Sequence, residues 1–282
     1  MKDKAKLNVG SIEIAWLDGG SFHVDGGTMF GPVPKVVWER KIPPASDNDI
    51  FLVASPILVR TGQNNVVIDT GIGNKLTEKQ AKIHGIRDKW ALPESLKEMG
   101  LSPEEIDTVI LTHCDYDHAG GVLAEKDGEI VPTFPDARIV MQRSEWEDVS
   151  HPNRRSAHTF WEINFRGLAE CGRLDLVDGE REIVPGISVR HTGGHNRGHQ
   201  VVRIESRGET AYHLGDLLPS HAHFNPLWVM SYDNYPMDVI DQKEKLEKEA
   251  MDENAWFLFY HDPVTRACKF GEKGILKEKF ER

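Results

Sequence analysis

Two histidines and two aspartates occur within ten residues in the run Thr112-His113-Cys114-Asp115-Tyr116-Asp117-His118-Ala119-Gly120-Gly121. The segment before it, residues 107–112, is apolar and β-branched, so it predicts a buried strand. Strand ends hold loops rigidly and often carry binding sites. If the chain stays extended, His113, Asp115 and Asp117 share one face, and the run can offer donors to two metal ions. An acidic turn with incidental histidines is disfavoured, because buried ionisable groups are costly unless paired or metal-bound.

Composition and charge describe an ordinary globular protein of 282 residues, with 34 basic and 45 acidic residues and a formal net charge of −11. The negative charge argues against nucleic acid or an anionic membrane surface as main partner. The charged N-terminus precedes no long apolar segment, which predicts no signal peptide, no membrane span and a cytoplasmic protein. Cys114, Cys171 and Cys268 lack CxxC spacing and predict no disulfide framework or zinc knuckle. Cys114 is interpreted as a small core residue in preference to a metal ligand.

Alternation and turn signals predict an ordered series of strands and helices. Further strands are predicted at residues 7–17, 50–60, 66–68, 138–142, 187–190, 200–204, 210–214 and 256–260. Helical segments are predicted at 93–100, 102–105, 151–170 and 238–253, with capping boxes at 102–105 and 144–147. Residues 18–34 are too rich in glycine and proline for a helix or central strand and are predicted to form a flexible loop.

Metal-binding types of side chain recur at the ends of predicted strands. His113, His195, Asp216 and His261 each follow an apolar strand, and Asp69 ends the strand at 66–68. A carboxylate at a buried strand end needs a partner, so Asp69 is expected to anchor the metal site. The order of strands, helices and a histidine-rich loop occurs twice. This repetition predicts two similar halves within a single domain over residues 1–282.

These motifs together resemble the metallo-β-lactamase superfamily. Any one of them alone would be weak, but together they span nearly the whole chain. The similarity lies in Val67–Gly71, Thr112–Gly121, His191–His199, Leu214–Asp216 and Tyr260–Asp262. The resemblance implies an α+β protein folded as a four-layer αββα sandwich, with a dinuclear metal site at one edge.

The resemblance also implies a role for each candidate ligand. By position, the first metal would be held by His113, Asp115 and His195, the second by Asp117, His118 and His261, and both by a bridging Asp216. His191 and His199 are not ligands in the family pattern and are expected to pack or to support ligands. The cofactors would be two divalent ions, zinc first, with iron or manganese as alternatives because of Asp115.

Within the superfamily the chain is similar to the N-acyl-homoserine lactonase branch, in particular the YtnP-like quorum-quenching lactonases. The closer match lies in Trp16–Gly20, Gly27–Gly31, Val33–Lys35, Asp69–Asn74, His191–His195 and His221–Trp228. It implies that a metal-bridging hydroxide opens a lactone or ester, with N-acyl-homoserine lactone as the first expected substrate. Asp117, or water at the second metal, would then protonate the leaving alkoxide.

The chain departs from the family pattern at two positions. Asp115 stands where the usual motif has a second histidine, and it brings a shorter side chain and an extra negative charge. The site is expected to favour iron or manganese, to bind its first metal weakly, or to lose nucleophile strength. Pro219 stands where better-known lactonases have a tyrosine, three residues after the bridging aspartate. The missing hydrogen bond would come from His223 first, or from Tyr116, His221 or Tyr235.

Aromatic and apolar residues near loops predict a substrate-binding rim. The candidates are Met29, Phe30, Trp38, His221 and Trp228, and Phe22 is a further aromatic residue of the same loop. One interpretation is an apolar lip over a pocket, and the other is a loop that packs back on the core. For the aromatic and basic residues of segment 151–170, a helix with an apolar stripe is favoured over direct substrate contact.

Three other functions remain open at this stage. A phosphotriesterase, arylesterase or phosphodiesterase can use the same metals, because the pocket decides the substrate and the fold does not. A redox or oxygen-binding diiron protein is a second alternative, although no flavin domain follows residue 282. A non-catalytic metal-binding protein, weakened by Asp115, is the third. The expected partner is a small lactone or ester, and the expected assembly is a monomer or homodimer.

Overall fold

The computed structural model describes residues 6–282, and two large sheets organise them. The charged residues 1–5, on which the signal-peptide prediction partly rests, lie outside the described residues. Numbering strands in chain order, the first sheet runs β1 (Leu7–Val9), β2 (Ile12–Trp16), β5 (Ile57–Arg60), β6 (Asn65–Ile68), β7 (Thr108–Ile110), β10 (Arg138–Gln142) and β11 (Leu174–Val177). The second runs β12 (Glu180–Val184), β13 (Ile187–His191), β14 (Gln200–Ser206), β15 (Glu209–His213), β16 (Trp256–Leu258), β17 (Thr265–Phe270) and β18 (Leu276–Glu281).

Two hairpin-like pairs and several helices cover the sheets. The pairs are β3 (Ser21–Asp25) with β4 (Asp49–Val53), and β8 (Leu123–Lys126) with β9 (Glu129–Pro132). The α-helices are α1 (Gly26–Phe30), α2 (Lys35–Trp38), α3 (Glu78–Ile83), α4 (Leu92–Glu98), α5 (Tyr116–Ala119), α6 (Arg143–Ser150) and α7 (Pro236–Asp252). Within residues 6–282, none of these helices has the length and apolar character that a membrane span needs.

The central core lies between the two sheets and follows from the two-residue period of their strands. Val59 of β5 and Ile68 of β6 are buried together with Val202 and Ile204 of β14. The intervening residue of β6, Val67, faces the other way. There it packs in a second cluster with the apolar side of α4. Each central strand is therefore buried on both faces, as its continuous apolar sequence predicts.

The helix α7 forms the outer layer on the opposite side. Its residues Val239, Leu246 and Ala250 pack on Tyr212 of β15 and Phe257 of β16. The order of layers is therefore helix, sheet, sheet and helix, and the predicted αββα sandwich is confirmed. The predicted helices at 93–100 and 238–253 and the capping box at 102–105 are also present.

Parallel pairing brings the metal-binding types of residue to one edge. In the first sheet β6 pairs in parallel with β7, and in the second β15 pairs in parallel with β16. The carboxyl ends of parallel neighbours point the same way. Asp69, His113, Asp216 and His261 follow these four ends, so the strand directions alone deliver them to a common edge.

The predicted loop at 18–34 is wrong in part, because it contains β3 and α1. The backbone of β3 is satisfied by pairing with β4, and the Asp25 carboxylate caps α1 by accepting from the N–H of Thr28. Position 26 suits glycine, because a Cβ atom there would lie 2.4 Å from the ring of Trp38.

The predicted strand 50–60 is likewise two strands. Pro56 lies in the break between them, and proline cannot donate to a ladder.

Two helix-related predictions are also wrong. Segment 151–170 contains only two single 3₁₀ turns, Ser156–His158 and Glu162–Asn164. The segment is held instead by contacts to a distant loop, because the Arg155 guanidinium donates to the carbonyls of Ser231 and Asp233.

The capping box at 144–147 does not form. Glu145 turns inward and its carboxylate accepts the N–H groups of Cys114 and Gly198 at 2.7 and 3.1 Å.

The inter-sheet core yields the first prediction. Ile14 in β2 is 0% exposed and belongs to the central cluster, whereas Ile275 is 66% exposed. Ile14→Ala should lower the free energy of unfolding by about 2 to 5 kcal/mol, because it removes buried methyl groups and leaves a cavity. Urea unfolding monitored by circular dichroism measures this. Ile275→Ala is the matched control and should change the midpoint little; equal effects of both substitutions would contradict the assigned core.

Candidate metal centre

Seven side chains from four loops converge at the common edge of the sheets. On one side, the Asp115 Oδ2 atom lies 3.1 Å from His195 Nε2 and 3.5 Å from His113 Nε2. On the other side, His118 Nε2 and His261 Nε2 are 3.0 Å apart. The Asp117 Oδ2 atom lies 3.6 Å from His261 Nε2. The side chains thus form two adjacent groups of donors.

Asp216 lies between the two groups and presents one oxygen to each. Its Oδ2 is 3.6 Å from His195 Nε2, and its Oδ1 is 3.3 Å from both His118 Nε2 and His261 Nε2. A carboxylate in this position has the geometry required of a bridge between two cations. The structure therefore brings together all seven residues that the sequence marked as candidate ligands, in the predicted two groups.

The run after β7 reaches both groups because it is not extended throughout. Asp115 is the last residue before α5, so the chain turns helical at Tyr116. The expectation of an extended run, with Asp117 on the face of His113, is therefore wrong. The turn lets neighbouring Asp117 and His118 approach His261 together. It also requires Gly121, since a Cβ there would lie 2.2 Å from the carbonyl oxygen of Thr70.

Each of the four imidazoles is oriented by a hydrogen bond from its Nδ1. The pairs are His118 with Asp69 Oδ2 at 2.9 Å, His195 with Asp233 Oδ1 at 2.9 Å, His261 with the Val53 carbonyl at 2.9 Å, and His113 with Thr112 Oγ1 at 3.0 Å. Carboxylate and carbonyl oxygens only accept, so the ring proton sits on Nδ1 in three cases. Thr112 donates its own proton to Asp69 at 2.8 Å and must accept from His113.

All four Nε2 atoms therefore present lone pairs to the interior, facing three carboxylates. Two lone pairs 3.0 Å apart, on His118 and His261, repel unless a proton or a cation lies nearby. The buried atoms His113 Nε2 and Asp216 Oδ1 have no hydrogen-bond partner within residues 6–282. Unpaired buried polar atoms are rare and need an explanation. Imidazole nitrogens with carboxylate oxygens suit zinc, iron and manganese, so these residues fit a pair of divalent metal ions.

The electrostatics of the site agree with this fit. Burial opposes the charged form of His118, but the carboxylates of Asp216 and Asp69 outweigh it and hold its pKa well above the usual value. Burial likewise opposes ionisation of Asp216, but His118 and His261 hold its pKa well below the usual range. The interior therefore stabilises positive charge among ionised carboxylates, which is the environment that a cation requires.

Asp69 supports the site from behind, as its position at a strand end predicts. It is fully buried and accepts from the Thr112 backbone N–H at 2.7 Å as well as from His118. Its φ of 56° is unusual for a residue other than glycine.

Sequence reasoning missed Tyr260, whose ring stacks on His118 at 4.2 Å and whose hydroxyl donates to the Asp117 carbonyl at 2.7 Å.

The two remaining histidines of the motif lie outside the cluster, as expected. His191 is exposed, and its Nε2 donates to the carbonyl of Arg197 at 2.8 Å. His199 is buried, and its Nε2 accepts the backbone N–H of Asp216 at 3.2 Å. His199 thus positions the bridge through its backbone.

A cavity of about 280 Å³ opens onto the cluster. Asp115, Asp117, His195, Asp216 and His261 form its floor. Its walls contain Tyr116 and two residues of the predicted lip, Phe22 and Met29, together with residues that sequence reasoning missed: His23, Val24, Asp25, Thr28, Leu52, Ile83, His84, Thr159 and Tyr232. No local motif could have identified these wall residues, because they come from segments far apart in the chain.

His223, the preferred replacement for the missing tyrosine, does not reach this cavity. Its ring is buried and stacked on Phe30 at 4.5 Å. Its Nδ1 is bonded to Ser220 Oγ at 2.8 Å, and its Nε2 to the carbonyl of Met29 at 3.0 Å. Burial, with the charge of Lys243, lowers its pKa to about 3. Both nitrogens are used in packing, so His223 is removed from the candidate site.

Four other predicted residues also lie away from the cavity. Phe30 and Trp38 are buried and stack on each other at 5.1 Å, so here the loop does pack on the core. His221 and Trp228 line a separate cavity, where His221 Nδ1 is bonded to Asp262 at 2.5 Å. Tyr235, an alternative donor, is anchored instead through its backbone N–H to Gly194. Of the predicted rim and lip, Phe22 and Met29 line the cavity.

Comparison with known protein sequences places this geometry in a family. The family model of the metallo-beta-lactamase superfamily matches residues 50–261. An N-acyl homoserine lactonase from Bacillus sp. is 26% identical over 229 residues, which are 75% of this chain and 82% of that protein. N-acyl homoserine lactonase AiiA from Bacillus thuringiensis subsp. kurstaki is 24% identical over 160 residues, and the match covers 53% of this chain and 57% of that protein.

Solved structures have the same fold. A probable metal-dependent hydrolase from Staphylococcus aureus is 39% identical and superposes with a TM-score of 0.92, covering 98% of this chain and 99% of that one. AidC, a dizinc quorum-quenching lactonase, superposes with a TM-score of 0.79 at 22% identity, covering 99% and 97%. At that identity the likeness to AidC shows the fold alone. The match to the family model over residues 50–261 shows that the chain belongs to the metallo-β-lactamase superfamily.

Proposed function

We propose that this metal-dependent hydrolase opens a neutral lactone or ester, with an N-acyl-homoserine lactone as the preferred substrate. The observation that carries the proposal is the convergence of four imidazole Nε2 atoms and three carboxylates on the floor of a cavity with apolar walls. The lactonase relatives support this choice within the family. The proposal retains one domain over residues 1–282, acting in the cytoplasm as a monomer or homodimer.

The proposed ligands keep the predicted grouping. His113, Asp115 and His195 would hold one ion, Asp117, His118 and His261 the other, and Asp216 both. When bound, two divalent cations lower the pKa of a coordinated water and polarise a carbonyl group. The Nδ1 hydrogen bonds keep the four rings in their required orientation throughout.

The charge of the cavity favours a neutral substrate. Among the described residues that line it, none is lysine or arginine, and four are aspartates. Apart from the proposed metal ions, an anionic phosphodiester would find no lysine or arginine there to offset its charge, whereas an acyl lactone has no charge to offset. Phe22, Val24, Met29, Leu52 and Ile83 supply apolar surface for an acyl chain.

Two residues of the run after β7 are placed to handle protons. The hydroxyl of Tyr116 has no hydrogen bond within residues 6–282, although its ring is fixed by stacking on Trp161 at 4.6 Å. It can therefore donate to the oxygen that becomes negative when the carbonyl is attacked. Asp117 lies on the cavity floor and is the proposed carrier of the proton for the leaving alkoxide.

Metal loading is the first test of this proposal. Asp216→Ala should lose both metals. It should lower kcat/KM for N-hexanoyl-homoserine lactone by more than about 100-fold, which exceeds the usual loss when only a hydrogen-bond partner of a metal ligand is removed. Elemental analysis of wild type purified without added metal should give about two ions per chain. His191→Ala is the matched control from the same motif and should keep both. If Asp216→Ala kept wild-type metal loading and activity, the assignment of Asp216 as the bridging ligand would be wrong.

The departure at position 115 gives a second test. Asp115 contributes a negative oxygen to the first group, where the family pattern has an imidazole. Asp115→His should raise the occupancy of zinc relative to iron and manganese when the three compete, because imidazole suits zinc and carboxylate suits manganese. Competitive loading followed by elemental analysis measures this. Unchanged metal content and preference would place Asp115 outside the ligands.

The apolar wall gives a third test. Met29 lines the cavity over the cluster, whereas Trp228 lines a separate one. Met29→Ala should lower kcat/KM more for long acyl chains than for short ones, by about fourfold for each methylene that loses its contact, or roughly 0.8 kcal/mol. Trp228→Ala should leave the chain-length profile unchanged. A profile altered only by Trp228→Ala would locate the acyl chain in the other cavity.

A further inference from the structure

We propose that Tyr232 selects substrates that carry an amide, because its phenolic oxygen accepts a hydrogen bond from the amide N–H of an N-acyl lactone. The inference rests on the proposed function and extends it. It narrows the substrate class from lactones in general to lactones with an amide beside the ring.

The position of Tyr232 is fixed relative to the metal centre by its two neighbours in the chain. The backbone N–H of Ser231 donates to the Thr28 carbonyl at 2.8 Å, which ties this segment to α1. The carboxylate of Asp233 accepts from Nδ1 of the candidate ligand His195 at 2.9 Å. Tyr232 lies between these anchors, and its side chain lines the same cavity as Asp216.

The direction of the Tyr232 hydrogen bond follows from counting protons. The Thr28 hydroxyl donates to the carbonyl oxygen of Asp25 at 2.6 Å, because a carbonyl has no proton to give. Thr28 Oγ1 is also 2.8 Å from the Tyr232 hydroxyl. Having used its one proton, Thr28 must accept there, so Tyr232 donates. The remaining lone pair of the Tyr232 oxygen is then an acceptor only.

The surroundings preserve this polarity. Burial raises the pKa of Tyr232, and the charges of Asp117 and Asp25 add to the effect, so the phenol stays protonated. An acceptor among carboxylates favours a ligand that donates, and the amide N–H is the one strong donor of an N-acyl lactone. An ester oxygen at the same place would face the Tyr232 lone pair without a proton between them. Sites built around one polar group reject analogues that lack its partner.

Tyr116 provides the contrast within the same cavity. Its hydroxyl has no hydrogen bond within the part of the chain that the structure describes, so its proton remains available. Tyr116 can donate to a carbonyl, whereas Tyr232 can only accept. The two phenols therefore present opposite polarity to one substrate.

The experiment compares two lactones that differ by one group. N-Hexanoyl-homoserine lactone carries the amide N–H, and α-hexanoyloxy-γ-butyrolactone has an oxygen in its place. Metal-loaded wild type should prefer the amide. Tyr232→Phe should reduce the ratio of the two kcat/KM values by about tenfold, and the loss should fall on the amide substrate. Metal content and circular dichroism should match wild type.

Two further variants separate this role from general packing. Thr28→Val removes the acceptor for the Tyr232 proton, so the phenol can donate into the cavity and kcat/KM for the oxygen analogue should rise about threefold. That rise should vanish in Thr28→Val/Tyr232→Phe. Tyr116→Phe is the matched control and should lower kcat/KM for both lactones by the same factor.

The outcomes are distinct. Hydrolysis of both lactones with the same ratio in wild type and Tyr232→Phe would overturn the role of Tyr232 and leave the lactonase proposal standing. So would equal losses on both substrates. Failure of metal-loaded wild type to hydrolyse either lactone would refute the proposed function, and the selectivity inference with it.

Discussion

Four buried Nδ1 protons determine the character of the candidate site. Each is donated to an acceptor of the chain: Asp69, Asp233, Thr112 Oγ1 or the Val53 carbonyl. The opposite nitrogen of each ring must then face inward as a lone pair, toward Asp216 and two other carboxylates. Burying so many acceptors without a donor is unfavourable. Because the Nδ1 protons are fixed on the outer side of the four rings, the interior is suited to binding cations.

The sandwich provides the rigidity that this arrangement needs. The central strands are apolar on both faces, so each sheet is packed between another sheet and a helix layer. Parallel pairing of β6 with β7, and of β15 with β16, sends four candidate residues to one edge. Asp69 then ties the end of β6 to the run after β7, since it contacts Thr112 and His118 together. Its left-handed backbone is tolerated because several hydrogen bonds and full burial hold it there.

The cavity above the floor has its own consistent polarity. Its aspartates and the oxygen of Tyr232 accept, its apolar wall is neutral, and Tyr116 retains a proton to donate. A neutral molecule with one carbonyl to be attacked and one N–H to donate matches this pattern. Among the described residues that line the separate cavity of His221 and Trp228, none is aspartate or tyrosine, and two are lysines, Lys41 and Lys273. Under the proposed function, substrate selectivity would follow from a few hydrogen-bond directions as much as from shape.

The amino-acid sequence by itself determined most of the strands and the candidate ligands, whereas the order of the layers was implied by the resemblance to the metallo-β-lactamase superfamily. Strand alternation, and side chains such as His113 and Asp216 at strand ends, are local patterns that do not depend on how loops fold. The tertiary structure decided the cavity walls. His223, in the 3₁₀ turn His221–Phe224, and Tyr232 lie nine residues apart, yet one stacks on Phe30 and the other lines the cavity. Nothing local distinguishes them, because a loop side chain takes its direction from contacts with distant segments, here Met29 for His223 and Thr28 for Tyr232.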